Sequence, residues 1–185
     1  MYSESTPIAL RELFNLPRPE ISKQRKLALT LTLAYSLLQL YEGSWLGSVW
    51  DKDHIQFYRD SYGVVDLGRP YIEAAFDQDA CSASTSLDDP ELHHLSPGLL
   101  SLGILLIEVH RWKPIEDFRQ VTDLIDGEVT VNTDMLVVDA CLHVPWAKAR
   151  VSLEDQGARD CIYRTIIEPL QSEVNLIKQA TGGRG

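Results

Sequence analysis

Cysteine is scarce in this chain and badly placed for pairing. Cys81, Cys141 and Cys161 are three in number and widely spaced, which gives neither a disulfide framework nor a CxxC pair for zinc. Cys141 and Cys161 sit in apolar or helical surroundings, where a small core residue is the simplest reading. Acidic neighbours blunt Cys81 as a nucleophile. Thiols kept reduced fit a cytoplasmic, reducing compartment. Positive charge is also in short supply: the net charge is −10. That balance argues against a nucleic-acid backbone and against anionic membrane surfaces. Solubility is its plainest explanation, and an acidic face for a basic partner is the next. Long hydrophobic runs are missing as well. The most apolar stretch, Leu27 to Leu40, covers about 14 residues against the roughly 20 that a spanning helix needs. Met1 to Phe14 lacks a basic-then-apolar signal pattern. Neither GxxxxGK[ST] nor GxGxxG occurs, and there is no GxSxG elbow.

What is present is helical patterning on a chain long enough, at 185 residues, to bury a core without staples. Thr6 and Pro7 read as a cap and first turn for a short helix from Pro7 to Phe14. Pro17 and Pro19 then break the chain. A long helix is expected from about Ile21 to Tyr41, helped by Ser22. Leu27, Leu31, Ala34, Leu38 and Tyr41 form one stripe, and Leu29, Leu33 and Leu37 form its neighbour. Ile55, Phe57 and Tyr58 alternate with polar residues, and a turn at Ser61-Tyr62-Gly63 leads into Val64-Val65. This hairpin is the one clear β signal. Asp77 to Ser96 reads as a polar surface loop.

Ser96 and Pro97 open the next helix, which ends near Arg111. Leu99, Leu100, Leu102, Ile104, Leu105, Leu106, Ile107 and Val109 make it apolar nearly all round, so it must be buried centrally. Gly103 admits a neighbouring backbone, and Pro114 stops the chain. Further helices are expected over Pro114 to Ile125, Asp134 to His143 and Leu153 to Ala180. Ser152 and Asp155 have capping-box spacing before the last of these, and Pro169 should kink or break it. The expected organisation is a segment over residues 1–20, a helical domain over 21–180 and a disordered tail over 181–185.

No catalytic set assembles from these residues, and no metal or cofactor is expected. His93 and His94 are adjacent on a loop with no third ligand nearby. His54, His110 and His143 are scattered beside apolar residues. Asp51, Asp53 and Asp66 flank loops. Trp45 and Trp50 read as loop anchors packed on the core, with an aromatic binding surface as the alternative.

The order of segments resembles the C-terminal lobe of a protein kinase. The central helix Ser101-Leu102-Gly103-Ile104-Leu105-Leu106-Ile107-Glu108 is similar to the kinase pattern D-x-W-S-x-G-x-x-L-x-E. Asp66-Leu67-Gly68 looks like a variant of DFG. Ala140-Cys141-Leu142 with Pro145 and Arg150 resembles a late C-L-x-x-x-P-x-x-R run. More closely, residues 8 to 175 resemble a fungal domain of unknown function that often follows a HeLo-type, prion-inhibition-and-propagation domain. The residues carrying that likeness include Ser44-Trp45-Leu46, Trp50, Ile55-Gln56-Phe57, Pro70-Tyr71-Ile72 and Lys113-Pro114-Ile115-Glu116.

The departures from a kinase matter as much. Met1 to Glu20 is too short for an N-terminal lobe, so the Gly-rich loop and strand lysine have no counterpart. The resemblance puts His54 at the metal-binding Asn, Val49 near the catalytic Asp and Gly98 where the central helix should open with Asp. Of the kinase metal-binding positions, the resemblance leaves Asp66 alone as a candidate. The resemblance therefore implies a mostly α, kinase C-lobe-like domain with a small β-hairpin, acting without catalysis by binding a protein partner or a second copy. Tyr35, Trp45, Trp50 and Tyr71 are the expected interaction face. The alternatives are a nucleotide-binding or enzymatic site rebuilt around His54 and Asp66, an accessory subunit of another enzyme, and a part in fungal cell-death signalling.

Overall fold

The structure is a computed structural model. It describes residues 7–16, 21–40, 50–60, 63–72, 94–118, 133–147, 151 and 153–182. In chain order the elements are β1 (Ile8–Ala9), α1 (Leu10–Asn15), α2 (Lys23–Leu40), β2 (Ile55–Phe57), β3 (Tyr71–Ile72), α3 (Pro97–Arg111), a 3₁₀ turn (Ile115–Asp117), α4 (Thr133–His143), α5 (Gln156–Ile162), a π segment (Tyr163–Ile167) and α6 (Glu168–Gly182). The described chain is mostly helical, with one small antiparallel sheet.

A helix apolar on every side calls for burial, and α3 is buried on all but one stripe, where Leu100, Ile104 and Ile107 stay half-buried. It packs against α4 and α2, and Leu99, Leu102 and Val109 are fully buried. Its start matches the sequence expectation. Ser96 is the N-cap, its hydroxyl accepting from the Leu99 amide, and Pro97 fills the first turn where no N–H is needed. At Gly103 α4 comes in close. A Cβ there would lie 3.0 Å from Cys141 Cβ and 3.1 Å from Leu142 Cδ2. The helix ends on Trp112 at φ 53°, a left-handed position usually given to glycine. Burial of the indole holds it there: Trp112 is 6% exposed and packs edge-on against Phe14 with ring centroids 5.2 Å apart.

α2 begins as expected, with Ser22 accepting from the Lys26 amide through its carbonyl and from the Arg25 amide through its hydroxyl. Of its two apolar stripes, Leu29, Leu33 and Leu37 go deepest, while Leu31 and Leu38 stay half-buried. The expected helix from Pro7 is shorter than read. Ile8–Ala9 is a strand paired with β2, and α1 starts only at Leu10 with no side-chain cap. Long-range pairing wins there over the local Pro signal. The sheet runs β1-β2-β3, with Ile8 opposite Phe57 and Ile55 opposite Ile72. Ile55 and Phe57 point into the core and Gln56 lies between them, the alternation that marked this segment in the sequence.

Among the described residues the expected hairpin is present as an Arg59–Val65 bridge, with the Asp60 amide bonded to the Val64 carbonyl and the Asp66 amide to the Tyr58 carbonyl. The true partners of β2 are β1 and β3, so the hairpin is not the one β feature. Of the helix expected from Pro114 to Ile125, the 3₁₀ turn is described, and it closes on an extended Phe118; the remainder lies outside the described residues. So do most of the expected 77–96 loop and the tail beyond Gly182; Thr181 and Gly182 belong to α6.

The last helix starts at Gln156, capped by Asp155, so Asp155 is the cap itself and not the far member of a capping box. Pro169 does not break it. Proline has no N–H for the Thr165 carbonyl one turn back, and the chain takes up the mismatch by winding as a π segment over Tyr163–Ile167 before continuing as α6. The N-terminal Ile8, Leu10, Leu13 and Phe14 belong to the same buried core as α3 and α6. No helix among the described residues is long and apolar enough to cross a membrane.

Candidate functional site

Glu108 is the one acid in an otherwise apolar run of α3, and it is fully buried. A buried carboxylate has to be paired, and its partner is Lys52, itself 4% exposed. The Lys52 ammonium donates to Glu108 Oε1 at 2.8 Å and to Glu116 Oε1 at 2.9 Å. Glu108 Oε1 also accepts from the Ile115 amide at 2.8 Å. Its second oxygen, Oε2, is buried with no hydrogen-bond partner. Burial works against the ammonium, but the bonds to the two glutamates outweigh it, and the Lys52 pKa ends above the ordinary lysine value. Its bond to Glu116 in turn holds that carboxyl below its usual range.

Outward from this pair the network becomes exposed. Arg11 forms a two-pronged contact with Asp53 and lies 3.7 Å from Glu116. The guanidinium pulls the Asp53 carboxyl below its usual range. Asp51 Oδ1 meets His54 Nδ1 at 2.8 Å and accepts from the Asp53 amide. The segment Asp51–His54 is thereby tied to α1, to the end of α3 and to the 3₁₀ turn. Lys52 and Asp53 reach outside the segment, while Asp51 and His54 pair with each other within it.

Asp66 lies elsewhere. Its Oδ1 accepts from the Gly68 amide at 2.9 Å, closing a local turn, and its other oxygen is 3.7 Å from Arg69. A groove of about 530 Å³ between α2 and this turn is lined by Arg25, Ala28, Asp60, Val64 and Asp66. His54 is not part of that lining; it pairs with Asp51 instead. No cluster of three or more His, Cys, Asp or Glu able to hold a metal occurs among the described residues.

The expected interaction residues also part company. Trp50 is 1% exposed and belongs to the core, which fits the anchor reading and corrects its place on a surface. Tyr35 spans α2 and α6, its hydroxyl donating to Gln171 Oε1 at 3.1 Å. Burial and the neighbouring Tyr163 hydroxyl push its pKa up. Trp45 lies outside the described residues. Tyr71 is half-buried and stacks on the exposed Tyr58, with ring centroids 4.5 Å apart and planes 20° apart. Val64, 57% exposed, lies on the turn between them in sequence.

His94 is structural: its Nε2 donates to the Leu142 carbonyl at 2.8 Å and its Nδ1 sits against the Ser96 backbone. His143 pairs with Asp139 one turn back on α4. Burial pushes the Cys141 thiol up to about 12, consistent with a core residue; Cys81 and His93 lie outside the described residues. Sequence reasoning missed Lys52, Arg11 and Glu116. The signal for them was Glu108 itself, because an acid on an all-round apolar helix demands a cation from somewhere else in the chain.

Residues 2–177 match the family model described as a domain of unknown function, DUF7580, and the chain belongs to that family. No curated protein matches, and no solved structure does.

Proposed function

We propose that this domain is a non-catalytic interaction module, the scaffold half of a kinase-like C-terminal lobe, acting by binding a protein partner or a second copy of itself. The observation that carries the reading is the Lys52–Glu108 pair. In the kinase-like register, the segment around Val49 to His54 stands where a catalytic loop would be. Here Lys52 pins that segment to α3 from inside the core, and Asp51, Asp53 and His54 are spent on pairing. The residues in register on α3 support the same reading. Ser101 and Glu108 turn inward and are buried, and Gly103 serves helix contact. The surface that remains for a partner includes the stacked Tyr58 and Tyr71 and the exposed Val64 on the turn between them in sequence. Aromatic side chains with apolar neighbours are favoured anchors at protein interfaces.

Calorimetry with ATP and Mg²⁺ tests the non-catalytic half of the proposal. The expected result is no saturable heat. Saturable binding that Asp66→Ala removes would overturn it. Light scattering across a concentration series tests self-association. A mass that rises with concentration, and falls back in Tyr58→Ser/Val64→Asp, assigns the aromatic face to a second copy. A constant monomer mass assigns it to a different protein.

A further inference from the structure

A second cavity lies on the opposite side of α2 from the Asp66 turn, and its chemistry differs. It measures about 330 Å³, at the small end of the range for small-molecule sites. Leu27, Leu106 and Leu170 supply an apolar floor, and all three are buried. Thr30, 6% exposed, puts a hydroxyl-bearing side chain into the wall. Ile21, Lys23, Lys26 and His110 also line it, and no carboxylate is among the described lining residues.

In a chain of net charge −10, a described lining with two lysines and a histidine stands out in sign, with Glu173 meeting Lys23 from outside it. The two lysines stand three residues apart on one face of α2, in its first turn, where the helix dipole also favours an anion. Both are held in place. Lys23 meets Glu173 at 2.7 Å. Lys26 donates to the His110 carbonyl at 2.9 Å and lies 5.8 Å from the centre of the Trp112 ring.

We infer that this cavity binds a small amphipathic carboxylate, with its acid at Lys26 and its apolar body on the leucine floor. The described lining contains no arginine fork and no glycine-rich turn, the features that favour a phosphate dianion. A bare inorganic anion would leave the leucine floor unused, and a neutral hydrocarbon would leave the cationic lining unused. The inference concerns a different face from the aromatic pair and stands whether or not that pair binds a partner.

Calorimetric titration of the full chain with octanoate, and separately with its neutral counterpart octanamide, tests it. Octanoate should bind with a dissociation constant on the order of 100 µM, and octanamide about tenfold more weakly. Lys26→Met should reduce octanoate to the octanamide level. Thr30→Leu, which fills the cavity, should abolish both. Amide shifts of the wild-type chain should move in α2, at the end of α3 and in α6 on adding octanoate, a readout that needs no variant to fold. No binding of octanoate at millimolar concentration, equal binding of the acid and the amide, or amide shifts confined to other elements would each overturn the inference.

Discussion

The two halves of α3 face the same problem and solve it differently. The N-terminal half is buried by shape. Ser96 caps it, Gly103 lets α4 in to 3.0 Å from where a side chain would begin, and Leu99 and Leu102 fill the space. The C-terminal half is buried partly by charge. Glu108 is taken out of water with Lys52, and Trp112 closes the end in a left-handed conformation. Shape tolerates small adjustments, because neighbouring atoms share the strain. A buried ion pair does not, because removing one partner strands the other.

The largest effect should follow from stranding Glu108. Lys52→Met should lower unfolding free energy by about 3–5 kcal/mol, read as the midpoint shift in urea. The double variant Lys52→Met/Glu108→Leu should recover most of that loss, since an apolar pair needs no compensation. A double variant no better than the single would erase the distinction between the two halves. Next comes Gly103→Ala. The helix itself should gain about 1 kcal/mol, but the new methyl meets Cys141 Cβ, which no rotamer change can move. The helices must part, and we expect a net loss of about 1–2 kcal/mol. Ser96→Ala removes the cap hydroxyl and should cost about 1 kcal/mol by the same measurement.

The smallest effect should come from acid. Asp53 and Glu116 are held below their ordinary values of 3.8 and 4.5. Each binds its proton less tightly folded than unfolded, so their contribution is present above about pH 4.5. It is lost as pH falls through the lowered folded values. Both side chains are roughly half exposed, and solvent screens them. Glu116→Gln should therefore flatten the acid limb of stability only slightly. A flattening as large as the Lys52→Met loss would move the energetic centre of the network from its buried end to its surface.

How far the sequence could be read follows from the range of the forces involved. The boundaries of α2, α3 and α4 came out within a residue or two, because caps such as Ser22 and Ser96 act on amides three and four residues away. β1 and β3 were missed. Two-residue strands carry almost no local pattern, and Ile8 is defined by Phe57, far along the chain. Asp155 was assigned one role and plays another, since cap and capping-box positions share the same residue types. Among the proposed site residues, Trp50 was legible as an anchor and not as a surface, while Tyr71 acquired meaning only when Tyr58 was found stacked on it.

The sequence by itself determined that α3 exists, where it starts, and that it must lie at the centre, because helix hydrogen bonds close within one turn and an all-round apolar surface has one destination in water. It also set one acid, Glu108, on that apolar helix. Only the tertiary structure decided that the partner is Lys52 and that the segment carrying it is locked to the core. A salt bridge depends on where two distant pieces of chain meet, and no local pattern records that.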